Sequence, residues 1–194
     1  MQTLALHLFD VLENSAKAGA SHVSLGLHAH DTGLHIHLED DGPGFPPHIL
    51  DNPADPYATT RRERPVGLGL ALLRQSAEET GGSFHACNSP RGGACVQLCV
   101  IMSHWDARPL GDPTGLVLET AAAWPDLVLR VSAQVEDADA KTVFDGAEVA
   151  AALDGVPLTH PSVRRALQAD LQESFAPLIA WVERTRDGLF TRAS

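Results

Sequence analysis

The chain has 194 residues, a net charge of −11 and a composition that is 44% hydrophobic and 20% charged. These values exclude global disorder, and no apolar run reaches the roughly 20 residues that span a bilayer. An acidic chain with two lysines among 14 basic residues is a poor general binder of nucleic acid. Three cysteines form no disulfide framework and the N-terminus lacks a signal-peptide pattern, so we expect a cytoplasmic protein.

Hydrophobic periodicity predicts an amphipathic helix over residues 3–18, with its leucines and Ser15 on one side. The opposite side carries His7, Asp10, Glu13, Asn14 and Lys17. Two strands over 23–30 and 34–39 follow, because apolar and polar residues alternate there. With Thr32-Gly33 at the tip of this hairpin, His30 is expected to face His35, and His28 to face His37.

The rest of the chain is predicted to form further helices and strands. Five prolines and three arginines make 45–66 a long loop, and loops of that length are typically functional lids. A helix is expected to begin at Gly67 and strands near 83–88 and 94–101, followed by a linker at 103–113. The remaining predicted elements are a helix near 114–123, strands near 127–135 and 141–144, a helix near 146–153, and a helix from Pro161 that Pro177 kinks or restarts.

Three short patterns occur in a fixed order and each suits nucleotide binding. Asp10 and Asn14 are four residues apart and so share one helix face, and an amide oxygen is a good neutral ligand for Mg²⁺. Asp40 ends a strand and is followed by Gly42 and Gly44. A buried carboxylate there accepts a hydrogen bond from an exocyclic amine, and glycines let a base approach the backbone. The third pattern, Gly67-x-Gly69, precedes a helix and presents N–H groups to phosphates.

Together the three patterns resemble the GHKL ATPases, a family that includes DNA gyrase, MutL proteins, sensor histidine kinases and anti-sigma-factor kinases. The segment 13–20 resembles their N box, and 38–45 resembles the first glycine box. The segments 55–60 and 67–72 resemble the lid and second glycine box of histidine kinases. The lid and the C-terminal stretch are also similar to stand-alone bacterial ATP-binding proteins, some of them linked to iron-only hydrogenase systems.

The resemblance implies a Bergerat-type ATP-binding fold over residues 1–102. This is a two-layer α/β sandwich, with a mixed, mainly antiparallel sheet and helices on one face. Residues 103–194 are expected to form a small α/β appendage with a regulatory or partner-binding role. ATP and Mg²⁺ are the implied cofactors, with Asn14 as the metal ligand. The implied nucleotide-binding residues are Asn14, Lys17, Asp40, Gly42, Gly44, Thr60, Arg61, Gly67, Leu68, Gly69 and Leu70.

One departure from the family pattern concerns the catalytic position one turn before Asn14. Hydrolytic members have glutamate there and most histidine kinases have asparagine, whereas this chain has Asp10. The resemblance therefore implies slow ATP hydrolysis, or phosphoryl transfer to a protein, with Asp10 as the catalytic residue. The alternative is a non-catalytic nucleotide sensor that controls a partner protein through its lid. The expected partners are ATP and a protein, a homodimer is left open, and nucleic acid and membranes are not expected.

Two other residue sets leave a metal- or redox-sensing role open. His28, His30, His35 and His37 lie on one side of the predicted hairpin, where they form either a surface metal site or a polar face. Cys87, Cys95 and Cys99 fall on adjacent predicted strands, where they are cluster ligands or buried structural thiols.

Overall fold

The computed structural model describes residues 2–47, 50, 68–90 and 92–191, and only the backbone of 189–191. The described regular elements agree with the predicted ones to within a residue or two at most ends. Residues 48–49 and 51–67, most of the predicted lid, lie outside the described part. The elements are α1 (Leu4–Ala18), β1 (His22–His30), β2 (Gly33–Asp40), α2 (Leu68–Glu79), β3 (Ser83–Asn88), β4 (Ala94–Ile101), α3 (Pro113–Ala123), β5 (Val128–Val135), β6 (Lys141–Asp145), α4 (Gly146–Leu153) and α5 (Pro161–Thr191).

One six-stranded sheet contains strands from both halves of the chain, in the order β3-β4-β2-β1-β5-β6. The β1–β5 pairing is parallel and the other four are antiparallel. The predicted mixed, mainly antiparallel α/β architecture is therefore confirmed. Strands β5 and β6 of the C-terminal region extend the same sheet, so the division at residue 103 stays a prediction about function.

The hairpin of β1 and β2 has a different register from the predicted one. His28 faces His35 and His30 faces Gly33, so the expected pairs of His30 with His35 and His28 with His37 are wrong. The tip is Asp31-Thr32, with Asp31 in the left-handed region at φ 54°, and Gly33 is already part of β2. The shift is two residues, so every side chain keeps its predicted face.

The apolar face of the sheet and the helices form one hydrophobic core. Leucines of α1 pack there with alternate residues of the central strands and with Phe175, Leu178 and Trp181 of α5. The other face of the sheet carries polar and half-exposed side chains. Helix α5 continues through Pro177 and does not restart there. Proline has no N–H to donate to the carbonyl of Glu173. Because Glu173 and Pro177 are both exposed, water can bond to that carbonyl instead. None of the described helices is long and apolar enough to cross a membrane.

The segment 103–113, predicted as a linker, packs against the start of α1. The carbonyls of Pro109 and Leu110 accept hydrogen bonds from the first-turn N–H groups of Leu4 and Ala5, at 2.9 and 2.8 Å. Leu110 is buried. This segment thus satisfies two of the four N–H groups that a helix start leaves unpaired, and it fixes where α1 begins.

Candidate functional site

Asp40, at the end of β2, is 8% exposed, and its carboxylate lies on the helix side of the sheet. Its Oδ1 accepts hydrogen bonds from the N–H groups of Gly42 (3.0 Å) and Ala94 (2.9 Å). Its Oδ2 accepts one from the Ser15 hydroxyl at 2.6 Å. A carboxylate offers about four acceptor positions. The described partners fill three of them, so Oδ2 can accept one more hydrogen bond from a ligand.

The neighbouring carboxylate of Asp41 has a different task. It accepts hydrogen bonds from the backbone N–H groups of Ser21 and His22, and its Oδ2 lies 3.0 Å from Nδ1 of His22. Partial burial opposes ionisation, but the bonds from His22 and Ser21 lower the pKa of Asp41. Asp41 therefore closes the connection between α1 and β1, and Asp40 alone is available to a ligand.

The first glycine box is tied to both β2 and β3. A Cβ on Gly42 would lie 3.2 Å from Oδ1 of Asp40, so the absent side chain lets the chain fold back over that carboxylate. Gly44 has φ +75°, and a Cβ there would lie 2.8 Å from Oδ1 of Asn88. The Asn88 amide accepts from the N–H of Phe45 (2.6 Å) and donates to its carbonyl (3.0 Å). These contacts hold the backbone beside Asp40 in place.

The polar residues of α1 lie one and two turns along from each other. Asp10 is half-buried, and burial raises the pKa of its carboxyl while the charge of Lys17 opposes the shift. Asn14 is exposed and has no hydrogen-bond partner among the described residues. Lys17 forms an ion pair with Glu13 on the same helix. The pair Asp10 and Asn14 therefore offers, on a single face, one carboxylate and one amide that bonds to no other described residue.

The start of α2 lies against this part of α1. A Cβ on Gly69 would be 2.6 Å from Cβ of Asp10 and 3.1 Å from the carbonyl oxygen of His7, so only glycine allows the two helices to approach this closely. Leu70 is buried and Leu68 is 41% exposed. The structure thus brings Gly69 of the second glycine box to Asp10 of the N box. The predicted site residues Thr60, Arg61 and Gly67 lie outside the described residues.

Two contacts of this site were absent from the sequence-based predictions. Periodicity places Ser15 on the apolar side of α1, and in the structure its hydroxyl donates a hydrogen bond to Asp40. Gly93 has φ +86°, and a Cβ there would lie 1.8 Å from the carbonyl oxygen of Asp40, so glycine is required where β4 begins. The sequence signal for Ser15 is a hydroxyl within a stripe of leucines, which indicates a buried hydrogen-bond donor. For Gly93 the sequence indicates a turn but not its contact with Asp40.

His7 was expected on the polar side of α1, and the structure contradicts this. The side chain is 1% exposed, and neither ring nitrogen has a hydrogen-bond partner in the described part of the chain. Burial, followed by the charge of Arg108, lowers the pKa of His7. Gly69 of α2 lies against the backbone of His7, where an added Cβ would be 3.1 Å from the carbonyl oxygen, so α2 packs on a flank of α1 that periodicity alone leaves in solvent.

Two sensor proteins are similar to nearly half of this chain. The sensor protein KdpD of Escherichia coli (strain K12) is 36% identical over 96 residues, covering 47% of this chain and 11% of that protein. The sensor histidine kinase component HK1 of Mycobacterium tuberculosis is 37% identical over 91 residues, covering 45% and 54%. The chain thus spans about half of the length of HK1 and a much smaller part of the length of KdpD.

Two solved structures are also similar to parts of this chain. The catalytic domain of the histidine kinase ThkA is 20% identical with a TM-score of 0.40, covering 49% of this chain and 63% of that one. The N-terminal domain of a DNA repair protein is 10% identical with a TM-score of 0.48, covering 75% and 53%.

The family comparison covers the segment that contains the site. The model of the histidine kinase-, DNA gyrase B- and HSP90-like ATPases matches residues 2–103, which is more than half of the 194 residues. The matched segment includes α1 with Asp10 and Asn14, the Asp40 carboxylate with its glycines, and the start of α2. From this coverage we conclude that the chain belongs to the histidine kinase-, DNA gyrase B- and HSP90-like ATPases, the GHKL family.

Proposed function

We propose that this chain binds ATP with Mg²⁺ where α1, α2 and the end of β2 meet. The observation that carries the proposal is the buried Asp40 carboxylate, which is held by three hydrogen bonds and has one acceptor position free on Oδ2. Adenine offers an exocyclic amine to that oxygen, whereas guanine has a carbonyl there and would repel it. The adenine ring then lies beside Gly42 and Gly44, and the phosphates extend along α1.

The phosphate end suits a magnesium ion. Mg²⁺ retains most of its waters and takes few protein ligands, commonly oxygen atoms, and the exposed Asn14 amide has no described partner that competes for it. When bound, the ion neutralises phosphate charge. Lys17 is exposed one turn further along and can leave Glu13 for a phosphate. Thr60 and Arg61 of the lid and the backbone from Gly67 to Leu70 are proposed to complete the phosphate contacts.

We assign catalysis to Asp10. Burial raises the pKa of its carboxyl, which makes it a stronger base toward a water or a protein hydroxyl. Its position one turn before Asn14 directs it to the same region as the proposed metal. The carboxylate is one methylene shorter than glutamate, so we expect slow hydrolysis or slow phosphoryl transfer to a protein, driven by positioning and charge neutralisation.

The alternative function is a nucleotide sensor without turnover. It is favoured by the packing of Asp10, because Gly69 lies so close that a Cβ on it would be 2.6 Å from Cβ of Asp10. A short side chain packed in this way reaches less far than glutamate toward a γ-phosphate. In that case ATP binding changes the lid and thereby a partner surface, and no phosphate is released.

The C-terminal region is proposed to be regulatory or partner-binding. Support comes from its contacts with the nucleotide half: β5 pairs in parallel with β1, and Pro109 and Leu110 cap the start of α1. A conformational change in α1 would therefore also move residues beyond 103. A cytoplasmic location, a protein substrate, a homodimer and a link to iron-only hydrogenase systems all remain predictions from the sequence.

The fate of γ-labelled ATP tests these proposals. The protein is incubated with labelled ATP and Mg²⁺, with and without cell extract, beside Asp10→Asn and the control Asp126→Asn, which changes an exposed carboxylate. Free phosphate or a labelled protein, lost in Asp10→Asn and kept in Asp126→Asn, supports catalysis. Bound ATP with its label intact supports the sensor. If the protein retains no ATP at all, both proposals are wrong.

A further inference from the structure

The face of the sheet opposite the helices is rich in imidazole and thiol groups. Alternate residues of β1 to β4 point to this face, and none of them belongs to the proposed ATP site. The group consists of His28, His30, His35, His37, His85, Cys87, Cys95 and Cys99. Imidazole and thiolate together are the ligands that select zinc and similar transition metals.

Cys99 of β4 and His35 of β2 are cross-strand partners, and Sγ of Cys99 lies 3.8 Å from Nε2 of His35. Both atoms lie above Gly33, where an added Cβ would be 2.9 Å from the sulfur and 3.2 Å from the nitrogen. A tetrahedral Zn²⁺ at its usual bond lengths holds sulfur and nitrogen about 3.6 Å apart. The two atoms therefore already stand near ligand spacing.

His28 of β1 is the imidazole beside this pair. It is the cross-strand partner of His35, and the two ring centroids are 5.8 Å apart. The ligand atoms of His28, His35 and Cys99 do not all lie within 4.8 Å of one another, so the His28 ring has to turn for a nitrogen to reach the ion. Nε2 of His28 is buried and has no hydrogen-bond partner in the described residues, which is an uncommon state for a buried polar atom.

The three side chains line a hollow of about 410 Å³ that is open to solvent. Gly26 forms part of its floor, because no side chain rises there between His37 and Ser132. The hollow gives an ion an access path, which a metal site requires. A similar pair, His37 and Cys95, has a nitrogen–sulfur distance of 3.4 Å. Cys95, however, is 7% exposed and does not line the hollow.

We propose that His28, His35 and Cys99 bind one Zn²⁺-like transition-metal ion on the open face of the sheet, with water as the fourth ligand. The ion joins β1, β2 and β4 and displaces the thiol proton of Cys99 to the buffer. This site is separate from the proposed ATP site and does not depend on it.

The test uses Co²⁺ as a spectroscopic probe and Zn²⁺ in competition with a chromophoric chelator. The reduced native protein is expected to bind one Co²⁺ with a thiolate-to-cobalt charge-transfer band. Cys99→Ser abolishes the band, and His28→Gln and His35→Gln each weaken Zn²⁺ affinity by at least about tenfold, the loss that even outer-shell changes cause. The matched control Cys95→Ser retains the band and the affinity.

Thermal unfolding keeps the result interpretable if a variant is less stable. Because a ligand stabilises only the state that binds it, Zn²⁺ is expected to raise the Tm of the native protein and of Cys95→Ser, but not that of Cys99→Ser. Absence of one-to-one metal binding by the native protein in the micromolar range would overturn the proposal. So would a charge-transfer band that is lost in Cys95→Ser and kept in Cys99→Ser.

Discussion

The two ends of the proposed nucleotide site differ in how completely the protein's own groups satisfy their hydrogen-bonding atoms. At one end Ser15 donates a hydrogen bond to Asp40, whose carboxylate also accepts from two backbone N–H groups. At the other end Asp10 is half-buried, and Asn14 has no hydrogen bond to a described residue. The proposed base-recognition end is therefore preformed, whereas the proposed phosphate end depends on groups that a ligand, a metal or the rest of the chain brings.

This contrast predicts how the two ends respond to mutation. A preorganised group loses binding energy directly when it is changed, because its geometry is already set. A group that acts only on the bound γ-phosphate changes turnover and leaves binding nearly intact. Single substitutions at the two ends therefore separate a loss of binding from a loss of turnover.

The largest effect is expected at Asp10. If the chain turns over ATP, Asp10→Asn should lower kcat by about 10²–10⁴-fold, the usual contribution of a general base, with nearly unchanged ATP affinity. Asp10→Glu should raise kcat if reach alone limits the native rate. Both are measured by phosphate release together with calorimetry. Turnover of Asp10→Asn at the native rate would remove Asp10 as the base and favour the sensor.

Asn14 is expected to have the next largest effect, confined to the magnesium complex. Asn14→Ala should weaken ATP·Mg²⁺ binding by about tenfold, equivalent to about 1.4 kcal/mol, and have little effect on ATP measured in excess chelator. The matched control is Gln75→Ala, which removes an exposed amide from α2 whose described bond is to Glu79. Equal losses with and without Mg²⁺ would show that Asn14 is no metal ligand.

Ser15→Ala is expected to have a smaller effect, which lowers both the free energy of unfolding and the affinity for ATP. Ser15→Ala removes the 2.6 Å bond to Asp40, so we expect a loss of about 1 kcal/mol in the free energy of unfolding and a few-fold weaker ATP affinity. Ser76→Ala is the control, because the Ser76 hydroxyl is buried in α2 and bonds to the carbonyl of Leu72. Urea unfolding and calorimetry are the measurements. If neither Ser15→Ala nor Ser76→Ala changes the ATP affinity, the proposal that Ser15 preforms the base-recognition end is contradicted.

The smallest effect is a pH dependence of stability from His7. Burial lowers the pKa of His7 in the folded state, so below about pH 6.5 the unfolded chain takes up a proton that the folded chain does not. The free energy of unfolding should therefore fall as pH drops from about 6.5 through the folded pKa. His7→Leu should flatten this dependence, and the exposed control His85→Gln should not. Identical pH curves for native protein and His7→Leu would contradict the assignment.

The sequence predicted the elements well because most of them follow from local patterns. Period-two alternation found β1 and β2, and glycines marked the ends of α1 and α2. The register of the hairpin depends on the left-handed backbone conformation of Asp31, which the residue types Asp-Thr-Gly do not determine. The predicted register and the register in the structure place the same residues on each face of the sheet, so only the predicted cross-strand pairs of histidines are wrong.

The candidate site was predictable where one residue carries its own chemistry. Asp40 and the glycines after it stand out by type and position. Ser15 and His7 do not, because their environment comes from the packing of β2 and α2 against α1, elements distant in sequence. Likewise, the pairing of Cys99 with His35 depends on the order β4-β2-β1 in the sheet, which no local pattern reports.

The most direct test of the account is the base preference of Asp40. ATP and GTP are titrated in Mg²⁺ into the native protein, Asp40→Asn and Asp41→Asn, where Asp41 bonds to Ser21 and His22. We expect the native protein to prefer ATP, and Asp40→Asn to lose about 1.5–3 kcal/mol of ATP binding and most of the preference, while Asp41→Asn retains both. Equal native affinity for ATP and GTP, or a folded Asp40→Asn that binds ATP as the native protein does, would contradict the account.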